Sequence, residues 1–305
     1  MNGILNVYKP AGMTSHDVVA ILRRLTRMKR IGHTGTLDPM ATGVLPVCLG
    51  KATRIVEFLS SEDKAYRCTM SLGKVSDTQD IWGEVTLSGG QLPTAEALRE
   101  ALMSMVGEIR QIPPMYSAVK VGGRKLYELA REGIEIEREA RIRWIRSIEI
   151  LSLDENQGIV EFNVVCSKGT YIRTLCHDVG LRLGCGAVMS SLERTASGTF
   201  TLENAITLEA IETMDKAAIK AALHSIDAPF RHLPSIQVDE RVGRLLMNGV
   251  KTDLTRLTQS LDRTDSDQFR IYQGSVFIGL GTLKGPDGKP VLEKLLMSGD
   301  DHADI

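Results

Sequence analysis

The sequence predicts an α+β protein with two domains, and three observations support this. Segments in which apolar and polar residues alternate, as in half-buried strands, are interleaved with segments whose apolar residues recur at helical spacing. A chain of 305 residues is long enough for about two domains. After residue 234 the pattern changes to short apolar segments between turn residues, which predicts a smaller β-rich unit.

The first half of the chain predicts alternating strands and helices. The expected ranges are 2–8, 44–49 and 64–72 for strands and 15–28, 51–59 and 95–106 for helices. Thr14 or Ser15 is expected to cap the first helix, because their hydroxyls accept hydrogen bonds from the free N–H groups at a helix start. Gly32 is expected to stop that helix, and Gly107 to end the helix that begins after Thr94.

The second half continues the same alternation. Strands are expected at 141–151, 158–166 and 187–194, and helices at 125–132, 207–215 and 216–224, with one more capped by Thr170. Pro229 and Pro234 indicate a domain boundary, since proline interrupts both helices and central strands. The remainder predicts a small β-rich barrel: a helix at 240–248, strands at 269–272, 275–280 and 291–296, turns at 273–274 and 285–288, and a frayed tail at 298–305.

Composition excludes several classes of protein. No apolar run approaches the roughly 18 residues of a membrane span, and the N-terminus lacks the segments of a signal peptide. The five cysteines have no C-x-x-C spacing, which predicts reduced thiols, a cytoplasmic location and neither zinc nor disulfides. Cys176, His177 and Cys185 could form a metal site, but buried apolar packing is favoured. The glycines before Lys51 lack P-loop spacing, which excludes a nucleotide triphosphatase.

The most informative stretch is the loop 32–43, with the sequence GHTGTLDPMATG. Its glycines allow tight turns or close approach to a ligand, and Pro39 keeps Asp38 out of the helical region. The loop therefore presents one carboxylate, although the same residue types are common in ordinary turns. Residues 1–60 carry eight basic side chains against three acidic ones, an excess that either attracts phosphates or is a solvated helix face. The net charge of the whole chain, −1, does not indicate a nucleic-acid binder.

Three other features point in different directions. Residues 110–133 mix prolines, glycines and basic residues without a clear period, which fits a mobile loop that folds onto a polyanion or an ordinary surface excursion. Arg173 falls in the first turn of a predicted helix, where the helix dipole disfavours a cation, so a carboxylate partner from elsewhere is expected. Tyr66 lies on the apolar face of an alternating strand, a position typical of a core tyrosine.

Several motifs resemble those of the bacterial TruB family of tRNA pseudouridine 55 synthases, in the same order. They are KPxGxTS at 9–15, the loop 32–43, KAY at 64–66, LG at 72–73, DTQD at 77–80, the segment 113–133, KGTYIR at 168–173 and LERT at 192–195. The resemblance implies a catalytic domain at 1–230 with a mixed, mostly antiparallel sheet flanked by helices, and a thumb-like RNA-binding loop at 110–133. Residues 231–305 resemble the family's PUA-type RNA-binding domain.

The resemblance also implies roles for single residues. Asp38 matches the catalytic aspartate, Tyr66 the tyrosine that stacks on the target base and handles its C5 proton, and Arg173 the arginine that pairs with the aspartate. The residues matched to substrate binding and loop support are His33 near the extruded nucleotide, Tyr171 and Leu192 in the uracil pocket, and Lys9 and Pro10 in the supporting motif. Without the resemblance, His33 is interpreted as a histidine at a helix end.

Two positions depart from the family pattern. Tyr8 stands where an acid or amide is more usual, directly before the Lys-Pro pair. Glu193 stands where a second arginine is usual, so the phosphate contact of the family does not carry over to that position.

The implied reaction isomerises uridine 55 in the TΨC loop of tRNA, and it needs no cofactor or metal because it involves no redox change and no net water. It needs an ionised carboxylate that attacks as a nucleophile or stabilises charge at the sugar, with attack at C1′ or C6 both open. A neighbouring Arg173 is expected to keep Asp38 ionised. A glycosidase would instead need two carboxylates about the bond, and Asp77 and Asp80 are candidates that the resemblance does not place there.

The expected partner is the T-arm stem-loop of tRNA, which is recognised mostly by its shape and by a flipped base. The enzyme is expected to be a monomer that needs no protein partner and no membrane. One alternative is an RNA-binding, tRNA-folding chaperone whose catalysis is secondary; the set of Asp38, Tyr66 and Arg173 favours an enzyme. Another is the same fold acting through a guide RNA, but the 110–133 loop resembles that of the stand-alone enzymes.

Overall fold

The structure, a computed structural model, describes residues 1–259, 261, 267–284 and 289–296. The turn expected at 285–288 and the tail expected at 298–305 lie outside the described residues. The strands are β1 Gly3–Lys9, β2 Ile31–His33, β3 Thr42–Leu49, β4 Lys64–Leu72, β5 Lys74–Ser76, β6 Val85–Leu87, β7 Gly107–Gln111, β8 Lys120–Val121, β9 Arg124–Lys125, β10 Arg141–Asp154, β11 Ile159–Cys166, β12 Ala187–Ser197, β13 Phe200–Thr201, β14 Ile206–Thr207, β15 Ser235–Gln237, β16 Gln268–Gln273, β17 Val276–Thr282 and β18 Val291–Leu295.

Helices lie between these strands. The α-helices are α1 Ser15–Thr26, α2 Val56–Ser61, α3 Ala95–Met103, α4 Leu126–Arg131, α5 Ile172–Leu183, α6 Leu208–Glu212, α7 Lys216–Ala221, α8 Glu240–Met247 and α9 Thr255–Thr258, and short 3₁₀ helices span Gly50–Ile55, Leu202–Asn204 and Ala228–Phe230. Within the described part of the chain, no helix is both long and apolar enough to cross a membrane.

One large mixed sheet organises the molecule. Its strands follow the order β14-β1-β3-β12-β4-β11-β10-β7, and β2 and β13 pair with β3 and β12 at its sides. The β1–β14 and β3–β12 pairs are parallel and the others are antiparallel. The α+β class and the mostly antiparallel sheet are therefore confirmed. The sheet places β12 between β3 and β4, so residues far apart in the chain meet at the centre.

Apolar packing joins the two ends of the chain. One cluster of buried residues packs the large sheet against α1, α3 and α5. A second combines residues of β1 and β3 with residues close to the C-terminus; its members include Ile4, Val44, Phe230, Leu280 and Leu296. A third lies under α8 and the sheet β15-β16-β17-β18. The C-terminal strands thus rest on the N-terminal ones through a shared core.

That second sheet differs from the expected barrel. Its described strands follow the open order β15-β16-β17-β18, so β15 and β18 do not pair within the described residues. The expected domain boundary at residues 230 and 231 falls inside the shared core, and it remains a prediction.

Several predicted helix ends were wrong. Helix α1 is capped by Thr14, whose side chain accepts from Asp17 N, but it ends at Thr26 because Arg27 adopts the left-handed conformation at φ 57°. Gly32 therefore lies in β2 and stops no helix. Thr170 does not cap α5. The N-cap residue of this helix is Tyr171, and the Thr170 hydroxyl donates to Ser167 O at 2.8 Å.

Two other helices also differ from the sequence prediction. The helix expected at 51–59 is divided, a 3₁₀ turn over Gly50–Ile55 leading into α2. Helix α3 ends at Met103 rather than at 106, and Gly107 opens strand β7. The segment 110–133 is ordered into the β8–β9 hairpin and α4, with Leu126 fully buried.

Candidate active site

The loop that carries Asp38 connects β2 to β3, and residues from the end of β1 to the start of α1 hold it on both sides of the aspartate. Ser15 Oγ accepts from Leu37 N at 2.9 Å, which fixes the backbone before Asp38. The Pro39 carbonyl accepts from Lys9 Nζ and from Gly12 N, both at 3.0 Å, which fixes the backbone after it. Backbone contacts of this kind make the position of the carboxylate independent of its own side-chain partners.

Lys9 is a buried cation that supports this loop through carbonyl groups. Its Nζ donates to the carbonyl oxygens of Pro10 and Met13 at 2.8 Å as well as to Pro39. Burial lowers the pKa of Lys9 to about 8, against the opposing effect of the Asp38 charge. The Lys9 side chain thus holds the backbone around Asp38, and its expected role in supporting the active-site loop remains a prediction.

Arg173 is the charged partner of Asp38. Its Nε lies 2.9 Å from Asp38 Oδ2 without forming a hydrogen bond, and its Nη2 donates to Oδ1 at 3.4 Å. The arginine side chain is 4% exposed, whereas the aspartate side chain is 39% exposed. The pair therefore combines a buried cation with a carboxylate that a substrate can reach.

The remaining donors of Arg173 hold two other segments. Nη1 donates to Thr78 O and Nη2 to Tyr116 O, both at 2.9 Å, and Nη1 lies 3.6 Å from Asp80 Oδ2. The first two hydrogen bonds connect the 77–80 turn and the 110–133 segment to the Arg173 side chain. Asp80 is 8% exposed, so the guanidinium lies between two carboxylates, one buried and one open.

Side-chain amides fix the segments next to Arg173. Gln79 has φ 65°, which is strained for a residue with a Cβ, and its Oε1 accepts from Thr174 Oγ1 at 2.7 Å. The buried Gln111 donates to Tyr171 O at 3.0 Å and accepts from Tyr171 N at 2.8 Å. These contacts hold the residue before α5, and hence the arginine that follows it, in one position.

Tyr66 lies on β4 directly opposite Arg194 of β12. The tyrosine is half-buried and packs against the main core. Its alternating strand pattern, which is typical of a core tyrosine, therefore describes part of its environment. Burial raises the pKa of Tyr66, while the charge and hydrogen bond of the Arg194 side chain act in the opposite direction.

Other residues matched to the family lie at different depths. His33 is half-buried in strand β2, so the helix-end interpretation was wrong; its ring packs edge-on to His16 with centroids 5.3 Å apart. Burial lowers the pKa of His33 to about 4, which makes it neutral near pH 7. Leu192 is 8% exposed in the main core, Tyr171 is half-buried at the start of α5, and Pro10 is half-buried after β1.

Three residues that the structure places at the site were not predicted as site residues. Asp80 was expected only as part of the DTQD motif and as a glycosidase candidate, whereas it lies behind Arg173, 3.6 Å away. Arg194 was expected only as part of the LERT motif, and no role was predicted for Gln111. Arg194 is 1% exposed and lies two residues after the buried Leu192 on strand β12. The available signal in the sequence was a cation at a strand position whose side chain is expected to be buried.

The two departures from the family pattern contact each other. The Tyr8 hydroxyl donates to Glu193 Oε1 at 2.8 Å, across strand β3. Glu193 thus has a hydrogen-bond donor in Tyr8, the other residue that departs from the family pattern.

The candidate metal ligands Cys176, His177 and Cys185 are not arranged as a metal site. Cys176 and Cys185 are buried free thiols, as are the other cysteines. Among the described residues, no group of three or more His, Cys, Asp or Glu side chains is placed to hold a metal ion.

Comparison with known proteins adds independent information. Residues 23–172 match the N-terminal domain of the TruB family pseudouridylate synthases, and residues 173–231 match the C-terminal domain described for tRNA pseudouridylate synthase B. A protein of Alkaliphilus oremlandii named tRNA pseudouridine synthase B is 44% identical over 97% of this chain and 98% of its own length. The chain belongs to the TruB family of pseudouridylate synthases.

Other TruB relatives and solved structures agree. A Clostridium tetani protein with the same name is 47% identical over 97% of this chain and all of its own length. A crystal structure of a Cbf5-Nop10-Gar1 complex contains a chain that matches 98% of this one at 30% identity, with a TM-score of 0.75 and 86% of that chain covered. Like its relatives, the chain is a pseudouridine synthase, an isomerase with the Cbf5-type fold.

Proposed function

We propose that this pseudouridine synthase isomerises uridine 55 in the TΨC loop of tRNA, and that Asp38 is its nucleophile. The ion pair between the accessible Asp38 and the buried Arg173 carries this proposal. The names of the bacterial relatives support tRNA as the substrate. The loop 32–43, which holds Asp38, lies beside the basic helix α1, whose exposed Arg23 and Arg24 suit contacts with phosphates.

The chemistry requires few groups. The N1–C1′ bond breaks, a C5–C1′ bond forms, C5 loses a proton and N1 gains one, so no electrons and no co-reactant are needed. An ionised carboxylate is a suitable nucleophile for this exchange, and the guanidinium of Arg173 lies beside Asp38 as its ion partner. The phenol of Tyr66 offers a surface on which the flipped base stacks and a hydroxyl that relays the C5 proton, accepting it while giving up its own proton.

The substrate must first leave its loop. Extruding a nucleotide costs a few kcal/mol, which stacking on an aromatic side chain and phosphate contacts offset. We assign the thumb-like role to residues 110–133, which the Arg173–Tyr116 contact joins to the site, and a PUA-like RNA-binding role to residues 231–305. His33, Tyr171 and Leu192 are proposed to line the pocket of the extruded uridine.

The test uses the T-arm stem-loop RNA and measures pseudouridine formed in a single turnover. Asp38→Asn should bind the RNA as the natural protein does and lose more than about 10³-fold of the rate, because the nucleophile is removed. Asp63→Asn is a matched control, since Asp63 is 42% exposed and its Oδ2 also lies 2.9 Å from an arginine Nε, that of Arg146. Retained turnover by Asp38→Asn would refute the nucleophile.

Tyr66→Phe tests the phenol separately from the ring. The variant should keep stacking and RNA affinity but lose about 10²-fold or more of the rate, because proton transfer at C5 loses its acceptor. An unchanged rate would show that the hydroxyl takes no part.

The chaperone function is the other candidate that the RNA-binding surfaces favour. A strain that lacks its own enzyme of this family, supplied with the Asp38→Asn variant, separates the two functions. Rescue of tRNA folding without pseudouridine would assign folding activity to the protein itself. No rescue would leave isomerisation as the function.

We further propose that the protein acts as a monomer in the cytoplasm without a protein partner, in contrast to the Cbf5 chain of the complex named above. The five buried free thiols fit a reducing compartment. Light scattering of the purified protein should give the mass of one chain, and with the stem-loop the mass of one chain plus one RNA. A stable dimer, or activity that needs a second protein, would contradict this.

A further inference from the structure

Arg194 is a fully buried cation at the centre of the molecule, and it contacts the Asp38 loop at both ends. Its Nε donates to Val44 O at 2.6 Å and its Nη2 to Gly35 O at 3.1 Å. Gly35 lies before Asp38 in the loop, and Val44 lies after it in β3. One planar side chain therefore binds the entrance and the exit of the segment that presents the carboxylate.

The same side chain faces the tyrosine of the site. Arg194 and Tyr66 occupy directly opposed positions in the β4–β12 pair. The guanidinium lies close enough to the phenol for the two groups to influence each other's pKa, the arginine acting to lower that of Tyr66. Because a guanidinium has only donors, the phenol oxygen is the atom that faces it.

Strands β3 and β12 approach each other closely beside Arg194. Gly43 has φ 101°, and a Cβ there would lie 2.3 Å from the carbonyl oxygen of Arg194. The backbones of β3 and β12 therefore approach each other at this point as only glycine permits. This close approach brings the arginine side chain under the loop.

The charge of Arg194 is not explained by an ion pair. Among the described residues no carboxylate lies within ion-pair distance of it, and nearby cations include Lys9 and Lys64. A buried charge without an ion partner costs several kcal/mol unless hydrogen bonds compensate it. An apolar side chain would avoid that cost, so the arginine has a use that apolar packing cannot supply.

We propose that Arg194 is a positioning residue of the isomerisation: its guanidinium holds both ends of the Asp38 loop from a strand position directly opposite Tyr66, and so sets the distance between the Asp38 carboxylate and the Tyr66 phenol. This inference rests on the proposed roles of Asp38 and Tyr66. Arg194 itself stays protonated and touches neither substrate nor leaving group. Arginine is needed because its fork reaches several acceptors in one plane, whereas an ammonium is a single point of charge.

The test compares Arg194→Lys and Arg194→Gln with the natural protein on the T-arm stem-loop. Arg194→Lys keeps the charge and should fold and bind RNA normally, but lose about 10- to 100-fold of the single-turnover rate, as when a supporting partner is removed. Arg194→Gln should lose more. The control for the exchange is Arg67→Lys, since Arg67 is exposed beside Tyr66 on β4; its rate should be unchanged. A natural rate for Arg194→Lys, or a loss confined to RNA affinity, would overturn the proposal.

A double variant tests whether the effect passes through the phenol. In a Tyr66→Phe protein, Arg194→Lys should cost less than it does in the natural protein, because the phenol oxygen that faces Arg194 is already absent. An equal loss in both backgrounds would overturn the link to Tyr66.

A measurement without turnover separates this inference from the proposed function. The Nε–H group of Arg194 is buried against Val44 O, so it should give a protected arginine resonance in NMR spectra that is absent in Arg194→Lys. That resonance should shift in Tyr66→Phe. No shift would overturn the inference even if the protein makes pseudouridine, and an inactive natural protein with the expected shift would refute the function alone.

Discussion

The two buried arginines on either side of the Asp38 loop differ in how their charge is compensated. Arg173, on helix α5, lies between the carboxylates of Asp38 and Asp80. Arg194, on strand β12, has two backbone carbonyls and a phenol, and within the described residues no carboxylate. The first cation is paired with charges, whereas the second is solvated by dipoles.

The way in which each charge is compensated indicates the role of each arginine. Removing an ion partner leaves an uncompensated charge in the interior, while removing a partner of neutral carbonyls leaves only unsatisfied dipoles. Arg173 is therefore the ion partner of Asp38 and Asp80, and we expect Arg194 to determine where the loop and the phenol stand. The following variants test this division of roles, in order of decreasing effect.

Arg173→Met should have the largest effect. It leaves Asp80 buried and unpaired, so the unfolding free energy should fall by about 3–5 kcal/mol, and the isomerisation rate by about 10³-fold. Chemical denaturation and single-turnover assays measure the two losses. In the control Arg146→Met the ion partner is the exposed Asp63, so stability should change by less than about 1 kcal/mol. Equal stability losses for both variants would remove the contrast between buried and exposed pairs.

Asp80→Asn should have a smaller effect on the rate. The amide keeps the acceptor for Thr78 Oγ1, which lies 2.7 Å from Asp80 Oδ1, but removes one of the two charges at Arg173. We expect a loss of about 10- to 100-fold in single-turnover rate with RNA affinity unchanged. Asp77→Asn is the control, because that carboxylate accepts only within its own turn, from Glu84 N at 2.8 Å. A natural rate for Asp80→Asn would mean that Arg173 needs one carboxylate only.

Lys64 extends the comparison to a second cation solvated by dipoles. Its Nζ donates to the carbonyl oxygens of Leu59, Ser60 and Glu62, and burial lowers its pKa from 10.5 to about 8. Between these two pH values the unfolded chain binds more protons at this site than the folded one, so the contribution of Lys64 to stability rises with pH.

The unfolding free energy of the natural protein minus that of Lys64→Met should therefore grow by about 1–3 kcal/mol from pH 8 to pH 10. Urea denaturation at several pH values measures it. In Lys29→Met, which removes an exposed ammonium, the same difference should stay flat. A difference that falls with pH would indicate that Lys64 gains a charged partner on folding.

The Tyr8–Glu193 pair should give the smallest effect. Successive residues of a strand point to opposite faces, so the Glu193 carboxylate turns to Tyr8 and not to the adjacent Arg194. Tyr8→Phe should cost about 1 kcal/mol of stability, and nothing more once Glu193→Ala has removed the acceptor. Additive losses in denaturation would mean that the two side chains do not act together.

Much of the fold could be predicted because it depends on local patterns. The alternation at 64–72 predicted β4, and Thr14 predicted the start of α1. Helix ends were less predictable: Arg27 adopts a left-handed conformation with no glycine to indicate it. The strand β2 is three residues long, too short for any period to appear.

The motifs of the sequence indicated the family and predicted Asp38 as the catalytic carboxylate, and the residue periodicity predicted the α+β class, because all three depend on residue types at short spacing. The position of Asp80 behind Arg173 and the contacts of Arg194 with both ends of the Asp38 loop became visible only in the folded chain. The acceptors of Arg194 are backbone carbonyls, which every residue has, so no residue type indicates them. The pairing of β3 with β12 brings Val44 within reach of Arg194, and the path of the loop brings Gly35 there.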